Sequence, residues 1–256
     1  MDKSTLAGIV LAVGGILAGL IIEGGKVSQV LQPTAAMIVF GGTLGAVMVQ
    51  FPMAVVIQAF KQLSRVFLDK SENPSLMVQQ MVQYAQRARK NGIVSLDAEI
   101  ANIQDPFLRR ALMLAVDGTE PHELRKIMEL NLSVQEEHAE KVAQVFESAG
   151  GFAPTIGIIG AVLGLIQVMQ HLQNIDEVGK GIAVAFVATI YGVSSANLLF
   201  LPASGKLKIK SRQEGILHEM TLEGVISIVE GMNPRMLETK LLGYLQDEGK
   251  QTAETS

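Results

Sequence analysis

The sequence predicts an all-α integral membrane protein: four transmembrane helices, a helical cytoplasmic insert between spans 2 and 3, and a cytoplasmic helical tail. Three observations lead there. Four apolar stretches, Leu6–Ile22, Pro33–Phe51, Ala149–Met169 and Gly181–Ala203, contain no Asp, Glu, Lys, Arg or His, and each is close to the roughly 20 residues that span a bilayer. Cationic residues gather at particular ends of those stretches. The polar remainder is punctuated by helix start and stop signals and lacks the alternation of a strand.

The elements follow in order. The first span is preceded by a single Lys3 and followed by Glu23-Gly24-Gly25. It is long for the apolar part of a signal peptide, and no small-x-small cleavage pattern follows Ile22, so it reads as an uncleaved first helix. The connection to span 2 holds only Lys26, and the connection between spans 3 and 4 holds only Lys180, beside Asp176 and Glu177. Beyond Phe51 come Lys61, Arg65 and Lys70; beyond Ala203 come Lys206, Lys208, Lys210 and Arg212. Positive charge near membrane ends marks the cytoplasmic side. Both long polar regions and both termini are therefore assigned to the cytoplasm. The chain divides into residues 1–52 (spans 1 and 2), 53–148 (cytoplasmic helical domain), 149–203 (spans 3 and 4) and 204–256 (tail).

Within the insert, Asn73-Pro74 opens a helix and Asn91-Gly92 stops it; Asp105-Pro106 opens the next, which ends at Gly118. Thr119-Glu120-Pro121 opens a third, with no breaker before Ala149, so one helix is expected to run on into the third span. Ser204–Ile228 extends the fourth span. Gly231-Met232-Asn233-Pro234 is a turn signal, a last helix reaches about Gln246, and Asp247–Ser256 is expected to be disordered.

Composition removes several function classes. A net charge of −4 with no basic tract interleaved with aromatics gives no nucleic-acid footprint. The chain has no cysteine, so disulfides, thiolate metal sites and cysteine nucleophiles are excluded. His122, His138 and His218 stand among charges without metal-ligand spacing, and His171 lies at the outer mouth. There is no nucleotide-binding loop, nucleophile elbow or acid pair, hence no enzyme constellation, metal site or cofactor.

The chemistry that remains is in the membrane. Pro154, Thr155, Thr189, Tyr191, Ser194, Ser195, Asn197 and Pro202 interrupt spans 3 and 4. Pro154 stands near the cytoplasmic entry of span 3 and Pro202 near the cytoplasmic exit of span 4, which puts both at one expected depth. A proline frees a carbonyl one turn earlier, and such carbonyls are tolerated where side chains or water satisfy them. For Pro154 a plain first-turn proline is the competing reading. For each threonine the competing reading is a bond to its own helix. Together they make the lining of an aqueous or ion path. This lining can solvate an ion but carries no acid, so a carboxylate must come from another chain. Gly15 and Gly19, Gly41 and Gly45, and Gly160 and Gly164 give four-residue small-residue spacing; packing within the chain and contact with other subunits both stay open. Outside the membrane, Arg87, Arg89 and Lys90 end one helix and Asp97 and Glu99 open the next element. Helix-end electrostatics explains either cluster alone; two opposite patches flanking one turn also suit a docking surface.

The segments GFAPTIGIIGAVLGLI (residues 151–166), AVAFVATIYG (183–192) and RKNGIVSLD (89–97) resemble the MotA/PomA family of flagellar stator proteins, within the MotA/TolQ/ExbB proton channel superfamily. The resemblance covers nearly the whole chain. It implies a subunit of a bacterial inner-membrane, ion-driven torque generator, five copies of which surround two copies of a MotB/PomB-type single-span partner carrying the membrane aspartate. Pro154, Thr155, Thr189, Tyr191 and Pro202 then line the ion path and partner interface, and Arg87, Arg89, Lys90, Asp97 and Glu99 face the rotor switch protein FliG. Asp97 stands where many relatives have glutamate. Ala161 stands where sodium-driven members place a threonine, which favours protons over a sodium-driven PomA-type motor. The other reading is an ExbB/TolQ-like energiser of envelope transport, which resembles the last two spans but has three spans in all.

Overall fold

The computed structural model describes residues 2–67 and 73–254, which fold as helices and short connections without a strand. Lys70, counted above among the cytoplasmic cations, and Thr255 and Ser256 lie outside the described residues. In chain order, α1 (Lys3–Ile22) is followed by a 3₁₀ turn, Val27–Val30. The second apolar stretch is α2 (Pro33–Ala36), a π-turn (Met37–Gly41) and α3 (Gly42–Gln50). Then come α4 (Met53–Phe67), α5 (Pro74–Asn91), the 3₁₀ turn Ile93–Leu96 and α6 (Asp97–Ile100). α7 (Pro106–Val116), α8 (Pro121–Gln170) and α9 (Ile175–Ser195) follow. A second π-turn, Ala196–Phe200, leads into α10 (Leu201–Val229), and α11 (Pro234–Glu254) closes the chain.

The start signals act as written in the sequence. Asn73 Oδ1 accepts from the Ser75 amide at 3.1 Å, and Asp105 caps α7 by accepting from Phe107 N and Leu108 N at 2.9 and 3.2 Å; such caps each contribute about 1 kcal/mol. Gly92, Gly118 and Gly231, the expected stops, all have positive φ, a region that favours glycine. α8 is one helix of 50 residues with Pro154 inside it, so the first-turn reading of that proline is excluded. The backbone of the segment expected to be disordered stays helical to Glu254.

The helices separate into two compact units. The first takes residues 1–70 and 139–209, so α4 groups with the apolar stretches. α4 is amphipathic and buries Val56, Ala59 and Val66 with Val142, Ala143, Phe146, Ala149 and Leu207. Four helical runs, Lys3–Ile22, Val27–Gln50, Pro121–Gln170 and Ile175–Val229, contain stretches long and apolar enough to cross a membrane. In this unit Asp2 caps α1 through Ser4 N and Thr5 N and pairs with Lys206. The Lys206 ammonium, then the Ser4 hydroxyl, hold the Asp2 carboxyl well below the usual carboxylate range.

The second unit takes residues 71–138 and 210–256. Its core holds Met81, Leu96, Phe107, Leu112, Leu124, Met128, Met220, Leu237 and Leu241, and full burial of one such side chain contributes roughly 1.5–3 kcal/mol. Beside this core Glu223 takes both Arg125, at 2.7 Å, and Lys240.

Candidate functional site

α8 and α9 pack backbone against backbone. A Cβ on Gly157 would lie 2.9 Å from the Ala188 carbonyl oxygen, one on Gly164 2.7 Å from that of Gly181, and one on Gly192 2.5 Å from that of Ala153. Small residues permit this approach. The third-span spacing therefore serves packing within the chain. Gly15, Gly19, Gly41 and Gly45 meet nothing within 4 Å, so their faces are open.

These contacts set the register of the antiparallel pair: residue 157 stands level with 188–192, and 153 with 192. Pro154 is thus level with the stretch from Tyr191 to about Ser194. Pro202 lies about nine residues beyond the middle of that stretch, roughly 13 Å at 1.5 Å per residue. The equal depth expected for the two prolines is not observed, because turning the chain back does not fix where two antiparallel helices touch; the glycine contacts do. Thr155 and Tyr191 stand close to Pro154's level; Thr189, whose Cα would lie 3.5 Å from a Cβ on Gly157, stands within about one turn of it, and Ala161, half-buried, stands about two turns outward.

At that level Thr155 donates its hydroxyl hydrogen to Phe152 O at 2.8 Å, and Thr189 donates to Ala185 O at 3.2 Å. Both hydroxyl donors are engaged, which leaves their oxygen lone pairs as acceptors. Thr155 is exposed and Thr189 half-buried. The wall can receive a hydrogen bond from a neutral acid, or an electrostatic contact from a cation, but offers little to a carboxylate.

Tyr191 differs from the threonines. Its hydroxyl donates to Val30 O at 2.6 Å and accepts from Gln32 N at 3.3 Å, and its ring sits 6.1 Å from that of Phe40. The phenol is engaged with the connection between the first two apolar stretches. Nothing local in the sequence points to this contact, since the partners are about 160 residues apart.

Pro202 sits just past the π-turn Ala196–Phe200. A proline ring inside a helix clashes with the carbonyl four residues earlier, here Leu198, and a widened turn moves that carbonyl aside. Pro202, Asn197, Leu198 and Lys206 also line a cavity of about 310 Å³ with Thr5, Gly8, Ile9 and Ala12 of α1. The structure therefore brings Pro154, Thr155, Thr189 and Tyr191 within about one helical turn of a common level and sets Pro202 apart.

In the second unit the charged turn closes on Gly92, with φ +80°. Arg87 and Glu99 pair with each other across it, and Ser95 N and Oγ both donate to Gly92 O, at 3.1 and 2.6 Å. Arg89, Lys90 and Asp97 are exposed. Among the described residues no group of His, Asp or Glu is placed to hold a metal ion.

Comparison with known proteins gives the family. A family model described as Motility protein A N-terminal matches residues 6–92, and one described as the MotA/TolQ/ExbB proton channel family matches residues 99–220. The chain is 39% identical to Motility protein A of Bacillus subtilis, over 96% of this chain and 91% of that protein. It superposes on a chain of the C. jejuni MotAB structure with a TM-score of 0.89 at 34% identity, covering 95% of this chain and 96% of that one. A chain of the flagellar MotAB stator complex from Bacillus subtilis gives a TM-score of 0.85 at 37% identity, with coverage of 94% and 96%. With the four apolar runs, the close α8–α9 pair and this likeness over nearly its full length, the chain belongs to the MotA/TolQ/ExbB proton channel family, in its motility protein A group.

Proposed function

We propose that this chain is the ring-forming subunit of a proton-driven flagellar stator. It spans the bacterial inner membrane four times with both termini in the cytoplasm, five copies surround two copies of a MotB-type single-span partner, and the Arg89–Asp97 turn faces the rotor protein FliG. The stator role follows from family membership, which is a family of ion channels and motors rather than enzymes. The N-terminal match separates the chain from the ExbB/TolQ-like reading.

One observation carries the division of labour. The wall formed by Thr155 and Thr189 presents acceptor oxygens, has its own donors engaged, and lies between runs without a single acid. Such a wall favours a partner carboxyl in its protonated form, which has a donor to give, over the carboxylate, which has none. Protonation therefore lowers the cost of placing the partner's acid against one subunit, and reionisation raises it, so the ring steps to the next. One charge falling through about 100 mV releases roughly 2.3 kcal/mol, enough to bias such a step. Protons fit better than sodium because Ala161 supplies no oxygen where a stripped cation needs several.

The test is co-purification with a single-span protein bearing one membrane acid, followed by proton flux in vesicles with and without that partner. Brisk conduction by this chain alone would end the proposal. Sodium-dependent swimming of the native protein, unaltered by Ala161→Thr, would reverse the choice of ion.

A further inference from the structure

The turn between α5 and α6 carries two pairs of opposite charges, and helix geometry sends them in different directions. At about 100° per residue, Arg89 stands about 200° round its helix from Arg87, and Asp97 about 200° from Glu99. Arg87 and Glu99 meet each other at the surface, across the turn. Arg89, Lys90 and Asp97 are left exposed and form no ion pair among the described residues.

The Arg87–Glu99 pair rests on a fixed base. Tyr84 lies beneath it, buried, with its hydroxyl taking the Gln80 amide at 2.6 Å. Burial raises the Tyr84 phenol above its ordinary pKa, and the Glu99 charge adds to the rise. Leu96 and Ile100, on either side of Asp97 and Glu99, are held in the core. The side chains of Arg87 and Glu99 are 47% and 34% exposed, so the pair is a surface staple over a packed floor.

We infer that Arg87 and Glu99 are a positioning pair: they lock the α5–α6 turn so that Arg89 and Lys90 on one side and Asp97 on the other are presented at a set separation, and they do not themselves dock on the rotor. This rests on reading the turn as the rotor-facing surface. A charge already engaged within its own chain must lose that partner before it can serve another protein. The docking field is then set by the three charges left over. Charges at the rim of an interface govern register and encounter more than affinity, so a loosened staple blurs the register while leaving the outward charges intact.

The experiment uses the full-length protein in cells with its native motor. Torque is measured for Arg87→Glu, Glu99→Arg and the double exchange, and for Arg89→Glu, Lys90→Glu and Asp97→Lys. Single reversals of Arg87 or Glu99 are expected to lower torque on the order of threefold, the scale of a surface ion pair replaced by a like-charge contact. The exchange R87E/E99R is expected to restore it. Arg89→Glu is expected to be rescued by a charge reversal on the rotor and not by Asp97→Lys. Neutral R87Q/E99Q, with membrane levels checked by immunoblot, guards against a folding defect in the reversals. An exchange no better than its single variants, or Arg87→Glu rescued by a rotor reversal, overturns the inference. A double-mutant cycle of Arg87→Gln and Glu99→Gln on thermal unfolding of the purified full-length protein reports the staple independently of torque, and strictly additive effects would also overturn it. If the cycle shows coupling while reversals at Arg89, Lys90 and Asp97 all leave torque unchanged, the docking reading of the turn has failed and the staple has not.

Discussion

Tyr191 gives its phenolic hydrogen to the Val30 carbonyl at 2.6 Å and receives the Gln32 amide at 3.3 Å. One side chain on α9 thus satisfies two backbone groups of an irregular segment at the entry to the second apolar run. In a bilayer, unsatisfied backbone groups cost several kcal/mol each, so a non-helical segment at this level needs such a partner.

Tyr191→Phe keeps the ring against Phe40 and removes only the hydroxyl. With Val30 O and Gln32 N unpaired, the variant is expected to lose roughly 1–3 kcal/mol. Thermal unfolding of the detergent-purified protein checks this. An unchanged midpoint would mean that water or lipid headgroups replace the phenol.

Gly192→Ala puts a methyl 2.5 Å from the Ala153 carbonyl oxygen. The helices must separate, at about 1–3 kcal/mol. Gly45→Ala faces open space and should change the stability of the isolated chain by under about 0.5 kcal/mol. Should Gly45→Ala nonetheless disrupt the assembled ring, as read by cross-linking in membranes, the open glycine face is a subunit contact.

Pro202→Ala restores an amide donor and removes the ring that displaces the Leu198 carbonyl. The π-turn is expected to relax towards α-helix, turning residues before Leu198 by up to about 100° relative to those after Pro202. Slower hydrogen exchange over 198–206, together with reduced swimming at normal membrane levels, is the expected pair of outcomes. Normal torque from an assembled variant would remove Pro202 from the mechanism.

Glu223 gives the pH prediction. Burial pushes its carboxyl up, but Lys240 and Arg125 outweigh that and hold it below its ordinary value of 4.5. A folded-state pKa below the unfolded one contributes stability that is complete above the unfolded pKa and is lost as pH falls through the folded one. The second unit should therefore weaken below about pH 4.5, and Glu223→Gln should flatten that part of the profile. Circular dichroism melts from pH 6 to pH 3 give the readout.

Much of the fold was legible because its signals are local. Asn73-Pro74, Asp105-Pro106 and the positive-φ glycines each act on their own few residues, and apolar runs of spanning length announce themselves without reference to any partner. The site was legible as a set of residue types, and less so as an arrangement. Pro154, Thr155 and Thr189 stand within about a turn of one another, whereas Pro202 does not share the depth expected of it, because the sequence does not say how far two antiparallel helices slide past each other. The phenol of Tyr191 and the acid of Glu99 look like free functional groups in the sequence; each is engaged by a residue that no spacing rule connects to it.

By itself the amino-acid order did not mark the π-turns or the end of α11 at Glu254. It determined that the chain is helical, where the helices with cap and glycine signals start and stop, which segments are apolar enough to leave water, and that no acid of this chain lies inside the apolar runs. Those are matters of backbone propensity and solvent transfer, which each segment settles alone. Only the tertiary structure decided which glycines touch, which prolines share a level, and which charges are cancelled before any partner arrives. Such outcomes depend on distances of a few ångströms between residues far apart in the chain, and close packing sets those distances.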